Sequence, residues 1–157
     1  MREASLPASN GMKLPTVRIE ELKKLAEEFK SKLTPKNKGA TVVTLSGDLG
    51  AGKTAFARAL ARAFGIDEDV ISPTYVIEKV YLPTRGQFQR FIHIDAYRLN
   101  GAHDLDVLGW GELIQESGNL ILIEWPEKVV GAIPSDAFNI TLEFVDEHAR
   151  AITHDIA

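Results

Sequence analysis

Apolar residues recur at helical spacing in three parts of the chain. Between positions 19 and 33 they repeat every three or four residues, and Glu and Lys fill the intervening positions, which predicts an amphipathic helix. A second helix is predicted from about Lys53 to Phe64, because Gly65 stands where a C-terminal cap is expected. Residues 103–117 predict one or two short helices interrupted by Gly109 and Gly111.

Short runs between these helices are apolar throughout or alternate between apolar and polar residues, as strands do. They predict strands at Thr41–Ser46, Val76–Tyr81, Phe88–Ile94, Leu120–Glu124, Phe138–Val145 and near Arg150–Ile152. Pro83 to Gly86 are turn residues, so the second and third strands are expected to form a β-hairpin. Because strands alternate with helices, we predict a three-layer α/β/α sandwich with a largely parallel central sheet.

Length and composition fit one soluble domain. The chain has 157 residues, of which 45% are hydrophobic and 25% charged. Residues 1–15 contain two prolines and small polar residues, so we expect a flexible leader there and a single domain over residues 16–157.

Charge and residue types exclude several classes of function. The net charge of -4 argues against a protein that grips nucleic acid by itself. The absence of cysteine excludes disulfides and thiolate metal sites. No apolar run approaches the roughly 20 residues of a membrane span, and we expect a cytoplasmic protein without membrane contact.

The segment Gly47-x-x-x-x-Gly52-Lys53-Thr54 stands between a predicted strand and a predicted helix, the context that distinguishes a phosphate-binding loop from a mere turn. Glycines let backbone N–H groups surround a polyphosphate, and the helix N-terminus adds partial positive charge. Lys53 is expected to reach the outer phosphates, and the Thr54 hydroxyl to bind Mg²⁺. The predicted nucleotide-binding residues are Gly47, Asp48, Leu49, Gly50, Ala51, Gly52, Lys53, Thr54 and Ala55.

Two carboxylates follow apolar strands at the positions where those strands end. Asp95 ends Phe91-Ile-His-Ile, and Glu124 ends Leu120–Ile123. Because ligands bind beyond the carboxyl ends of parallel strands, both are expected near Lys53. One could lie near Mg²⁺ and the other could orient the attacking group, although acidic residues also simply begin loops.

Two further segments allow both a functional and a structural interpretation. His93 shares a strand face with Asp95, so it could orient that carboxylate or be a buried structural histidine. Ser72-Pro-Thr-Tyr75 could hold the Thr74 hydroxyl near the third phosphate, or it could be only a loop with a proline.

Taken together, four motifs resemble the TsaE family of small bacterial ATPases in tRNA threonylcarbamoyladenosine biosynthesis. They are Gly47–Thr54, Ser72–Tyr75, His93–Arg98 and Ile123–Glu127, and the resemblance extends over roughly Ile19 to Ile152. It implies a P-loop fold, binding of ATP with Mg²⁺ and weak intrinsic hydrolysis. It also implies action with the partner proteins TsaD and TsaB, which modify the adenosine next to the anticodon, so that tRNA is contacted indirectly.

The resemblance assigns roles to individual residues. It places Thr54 and Glu124 at the Mg²⁺ ion and makes Asp95 the residue that positions or activates the attacking water. It also raises the expectation for Thr74, which falls in a switch-like segment of the family, and Lys53 is expected to contact the reacting phosphates. The protein is expected to be a monomer.

Two alternatives use the same loop. A small-molecule kinase, for instance one acting on nucleosides, shares the loop, the metal and an acid at a strand end, but no insertion long enough for an Arg-rich lid occurs here. A scaffold that binds ATP without hydrolysing it would not need Thr54, Asp95 and Glu124 together.

Overall fold

The computed structural model describes residues 12–13, 16–68 and 77–156. The strands are β1 Met12–Lys13, β2 Val17–Arg18, β3 Thr41–Ser46, β4 Glu78–Tyr81, β5 Arg90–Asp95, β6 Asn119–Glu124, β7 Phe138–Asp146 and β8 Ala149–His154. The α-helices are α1 Leu22–Lys32, α2 Lys53–Ala63 and α3 Trp110–Leu113. Short 3₁₀ segments cover Ile19–Glu21, Ala102–Leu108 and Pro126–Ala132. Within these described residues, no helix has the length and apolar character needed to cross a membrane.

The strands form one sheet with a parallel centre. Its order is β1-β8-β7-β3-β6-β5-β4, and β2 also pairs with β8. Strands β7, β3, β6 and β5 are mutually parallel, whereas β4 pairs antiparallel with β5 and β8 pairs antiparallel with β7. The prediction of an α/β fold with a largely parallel sheet and a β-hairpin is therefore confirmed.

Alternate residues of the central strands pack on opposite faces of the sheet. Val43 and Leu122 lie opposite each other on the face that α1 and α2 cover. Val42 and Ile121 lie on the other face, beneath the 3₁₀ segments and α3. All four are at most 3% exposed, so both faces are dry, which explains the continuous apolar runs of these strands. The packing places the start of α2 at the carboxyl end of β3.

Several boundaries differ from the predictions. Gly109, at φ 79°, separates a 3₁₀ segment from α3, but Gly111 lies inside α3 and does not interrupt it. Strand β8 extends beyond the predicted Arg150–Ile152 because β7 pairs with it from Ala149 to His154. Met12 and Lys13, inside the predicted leader, pair with His154 and Thr153.

Candidate functional site

The glycine-rich loop joins β3 to α2 through a backbone path that requires glycine. Gly47, Gly50 and Gly52 have φ angles of 146°, 83° and 95°, values that residues with a side chain rarely adopt. A Cβ atom on Gly47 would also collide with the carbonyl oxygen of Leu142 in β7. One side of the loop therefore packs closely against β7. Its other side faces the edge of the sheet formed by the carboxyl ends of the parallel strands.

Lys53 is the first residue of α2 and is only 6% exposed. Its ammonium group donates to the carbonyl oxygens of Gly47 and Asp48, the latter at 3.2 Å, and lies 3.9 Å from the ring centroid of Trp125. Burial lowers the pKa of Lys53, and the nearby negative charge of Glu124 opposes this shift. The ammonium group of Lys53 thus lies beside the loop, where it could contact an anion bound there.

The two predicted carboxylates lie side by side. Asp95 at the end of β5 is paired with Glu124 at the end of β6. Glu124 is 2% exposed, whereas Asp95 is half-buried and accepts a 3.0 Å hydrogen bond from the backbone N–H of Tyr97. The two parallel strands therefore bring both acids to the edge predicted for them.

His93 contacts a different carboxylate from the one considered in the sequence. Its Nε2 atom lies 2.5 Å from Glu124 Oε2, in a pair that is almost fully buried. The Nδ1 atom is buried and makes no hydrogen bond to the described residues. The register explains the change, because His93 lies opposite Leu122, whose side of β6 also carries Glu124.

These groups surround one cavity of about 470 Å³. It brings Lys53 and Thr54 together with Asp95 and Glu124. The remaining lining residues are Leu49, Gly50, Gly52, Ala55, Ile77, Tyr97, Arg98 and Trp125. Three of the predicted loop residues, Gly47, Asp48 and Ala51, are not in this lining. Thr74, with the whole Ser72–Tyr75 motif, lies outside the described residues.

Tyr97 and Ile77 were not predicted to line the cavity, and they do so together with Trp125. Trp125 is the one non-glycine residue in the described part of the chain with a positive φ, 60°. Its ring stands 4.9 Å from that of Tyr97, between centroids. A bulky side chain in this conformation is strained, and such strain is concentrated at functional sites. The two rings together form one aromatic side of the cavity. Both residues follow the ends of strands, so strand periodicity could not predict their positions.

The arrangement fits a polyanion together with a divalent cation. The loop amides, the N-terminus of the 11-residue helix α2 and Lys53 supply positive potential. The hydroxyl of Thr54 and the carboxylates of Asp95 and Glu124 bring oxygen atoms to the same cavity, the ligand type that Mg²⁺ prefers.

The chain is similar to known proteins of one family. The family described as threonylcarbamoyl adenosine biosynthesis protein TsaE matches residues 16–152. The TsaE protein of Rickettsia felis is 37% identical over 132 residues, covering 83% of this chain and 72% of the relative. That of Mycobacterium leprae is 37% identical over 119 residues, covering 73% and 74%. The crystal structure of Bacillus subtilis YdiB is similar with a TM-score of 0.67 at 26% identity, covering 96% of this chain and 90% of that one.

Proposed function

Because the chain belongs to the TsaE family, we propose that it is a Mg²⁺-dependent ATPase required for threonylcarbamoyl modification of adenosine next to the tRNA anticodon. The observation that carries this proposal is the cavity in which Lys53 and Thr54 face Asp95 and Glu124. Binding of a polyphosphate and its hydrolysis need different groups, and this cavity holds candidates for both.

Binding of ATP would use the loop. Gly50 and Gly52 line the cavity with backbone rather than side chains, which permits close approach of phosphates. Lys53 would exchange its contacts with the Gly47 and Asp48 carbonyls for phosphate oxygens. The exchange favours binding because charge-assisted hydrogen bonds to an anion are stronger than those to neutral carbonyls.

Thr54 and Glu124 would hold Mg²⁺, and the ion would supply positive charge that offsets the negative charge of the phosphates. Glu124 is prepared for this role by His93, whose ring nitrogen is hydrogen-bonded to the buried carboxylate. A buried carboxylate without a partner is unfavourable. The hydrogen bond with His93 and a bound cation would therefore both stabilise Glu124 in this position.

Asp95 would orient the attacking water and accept its proton. Its exposure is greater than that of Glu124, so water can reach it, and the Tyr97 N–H holds one carboxylate oxygen in place. A positioned carboxylate of this kind accelerates proton transfer by about 10²- to 10⁴-fold. Thr74 belongs to the same proposal through the family motif alone.

The partners in this proposal are TsaD and TsaB, which would make the modification, while ATP turnover here allows them to act repeatedly. The net charge of -4 supports a division in which the partners grip the tRNA. We further propose a cytoplasmic protein that is monomeric on its own.

Reconstitution tests the function. The protein is combined with TsaD, TsaB, substrate tRNA and ATP, and modified tRNA is counted against the amount of TsaD. We expect many modifications per TsaD with this protein and about one without it. A yield that is the same in both cases would exclude the proposed role.

The same preparation separates the ATPase from a small-molecule kinase. Incubation with labelled ATP and a panel of nucleosides should release only inorganic phosphate. A phosphorylated nucleoside would identify the kinase instead.

A further inference from the structure

The outer side of the glycine-rich loop is held by a residue from the last strand of the sheet. Arg150 in β8 donates from Nε to the carbonyl oxygen of Ala51, at 2.9 Å and across 99 positions in sequence. Its Nη1 atom donates to the carbonyl oxygens of Asp146 and Ala149, at 2.7 and 2.9 Å. One guanidinium group thus joins the loop to the turn between β7 and β8.

Neighbouring groups hold this side chain in place. The guanidinium lies 4.8 Å from the centroid of the Phe144 ring. A Cβ atom built on Gly52 would stand 3.2 Å from Arg150 Nε, so the side chain packs directly against the loop. Arg150 also lies opposite the register shift between Phe144 and Asp146, and such irregularities redirect side chains.

The bond to Ala51 determines where the next amide points. In a trans peptide the C=O and the following N–H point to opposite sides, and no cis peptide occurs in the described residues. Holding the Ala51 carbonyl outward, toward Arg150, therefore holds the Gly52 N–H inward, on the side where Gly52 lines the cavity. We propose that Arg150 is a positioning residue that orients the Ala51–Gly52 peptide for phosphate binding.

This inference rests on the proposed function, since it assumes that the cavity takes the phosphates of a nucleotide. Arg150 does not line the cavity itself, so it acts through the loop and not on the ligand. The role needs arginine, because one planar group must donate from Nε to the loop and from Nη1 to the turn. Lysine keeps the charge but cannot reproduce this fork.

The test compares R150M and R150K with R18M. Arg18 pairs opposite Ala149 on the neighbouring strand and makes its ion pair with Glu20 at the exposed edge, so R18M removes an equivalent charge without touching the loop. Dissociation constants for ATP and ADP are measured by calorimetry, and the ¹⁵N order parameter of the Gly52 amide is measured by NMR without nucleotide. All measurements are made at a temperature where every variant is folded.

We expect R150M to bind ATP and ADP about tenfold more weakly, the loss typical of a charge-assisted hydrogen bond. R150K should lose several-fold, R18M nothing, and the Gly52 order parameter should fall in both Arg150 variants only. The inference would be overturned if R150M bound ATP as tightly as the wild type. It would also be overturned if R150K kept both the wild-type affinity and the wild-type Gly52 order parameter, or if R18M lost as much affinity as R150M. If R150M does not fold, R150K decides by the same criteria.

The two proposals fail in different ways. If the wild-type protein bound no ATP, the proposed function would be wrong, and the Gly52 order parameters would still test the effect of Arg150 on the loop. If the wild type bound ATP and the Arg150 variants matched it, only the role of Arg150 would be wrong.

Discussion

Asp95 and Glu124 are paired carboxylates with different surroundings, and this difference assigns their proposed roles. Glu124 is buried and bonded to His93, whereas Asp95 is half-buried and held by a backbone amide. Glu124, a buried carboxylate held by a hydrogen bond, is suited to bind a metal ion. Asp95, a carboxylate that water can reach, is suited to accept a proton.

Asp95→Asn should therefore keep ATP binding and lose hydrolysis. The amide oxygen can still accept the Tyr97 N–H, but it is a far weaker base, so ATP turnover should fall by roughly 100-fold or more. Steady-state phosphate release and ATP affinity are measured together. Asp106→Asn, at a side chain 69% exposed in a 3₁₀ segment, is the matched control and should leave both unchanged. Normal turnover by the Asp95 variant would remove this residue from the mechanism.

Lys53→Ala should act on binding itself. The substitution removes the only ammonium group in the lining of the cavity that the described residues form, so ATP affinity should fall about 10- to 100-fold. Lys36→Ala, which breaks an exposed ion pair with Asp136, serves as the control and should bind ATP normally. Calorimetric titration with ATP measures both, and undiminished affinity in the Lys53 variant would contradict the whole site.

The sequence could predict the convergence of these residues because each follows a strongly patterned element. Asp95 and Glu124 end apolar strands, and Lys53 begins the helix that follows a third, so the carboxyl ends of parallel strands bring all three to one edge of the sheet. Tyr97 and Arg150 could not be assigned in the same way. Tyr97 depends on the turn after β5, and Arg150 reaches a loop 99 positions away through the register of β8 with β7.

At the scale of elements, a glycine of the loop and a glycine of α3 show why one position tolerates no side chain while another does. Gly47 has φ 146° and no room for a Cβ beside Leu142, whereas Gly111 lies inside α3 with nothing within 4 Å. Gly47→Ala should destabilise the fold by about 3 kcal/mol or more, through strain and displacement of the loop. Gly111→Ala should stabilise it by about 0.5 kcal/mol, since it only reduces the freedom of the unfolded chain.

Urea unfolding measures both free energies. Equal stability of the two glycine variants would show that the loop can move away from β7, and the close contact with the Leu142 carbonyl would then not restrain it.

The long elements were predicted better than the short ones for a physical reason. β3, β6 and α2 carry enough apolar positions to establish their period, and each was predicted to within about two residues, the usual margin at element ends. β1 and β2 contain two residues each, which is too few for any period. They form because β8 offers an unpaired edge, a property of the assembled sheet.

On the scale of the whole molecule, His154 connects the edge of the sheet to the helical layer. Its ring centroid lies 4.8 Å from that of Phe29 in α1, and its Nδ1 atom accepts a 3.1 Å hydrogen bond from the N–H of Ile156. Burial lowers the pKa of His154 below its ordinary value of 6.5, with a further contribution from Lys32, while Asp155 and Glu28 oppose the shift. The folded protein therefore favours the neutral ring.

This pKa shift predicts how stability responds to acid. The unfolded chain binds the proton more tightly than the folded one. The contribution of His154 to the free energy of unfolding should therefore be complete above pH 6.5. It should be lost as the pH falls from 6.5 toward the lower pKa of the folded state. His154→Gln should weaken this dependence between pH 7 and 5, because no imidazole remains to be protonated beside Phe29. His103→Gln, which removes a side chain that is 92% exposed, should retain it. Urea unfolding across this pH range measures all three proteins, and an unchanged slope in the His154 variant would mean that acid acts elsewhere in the fold.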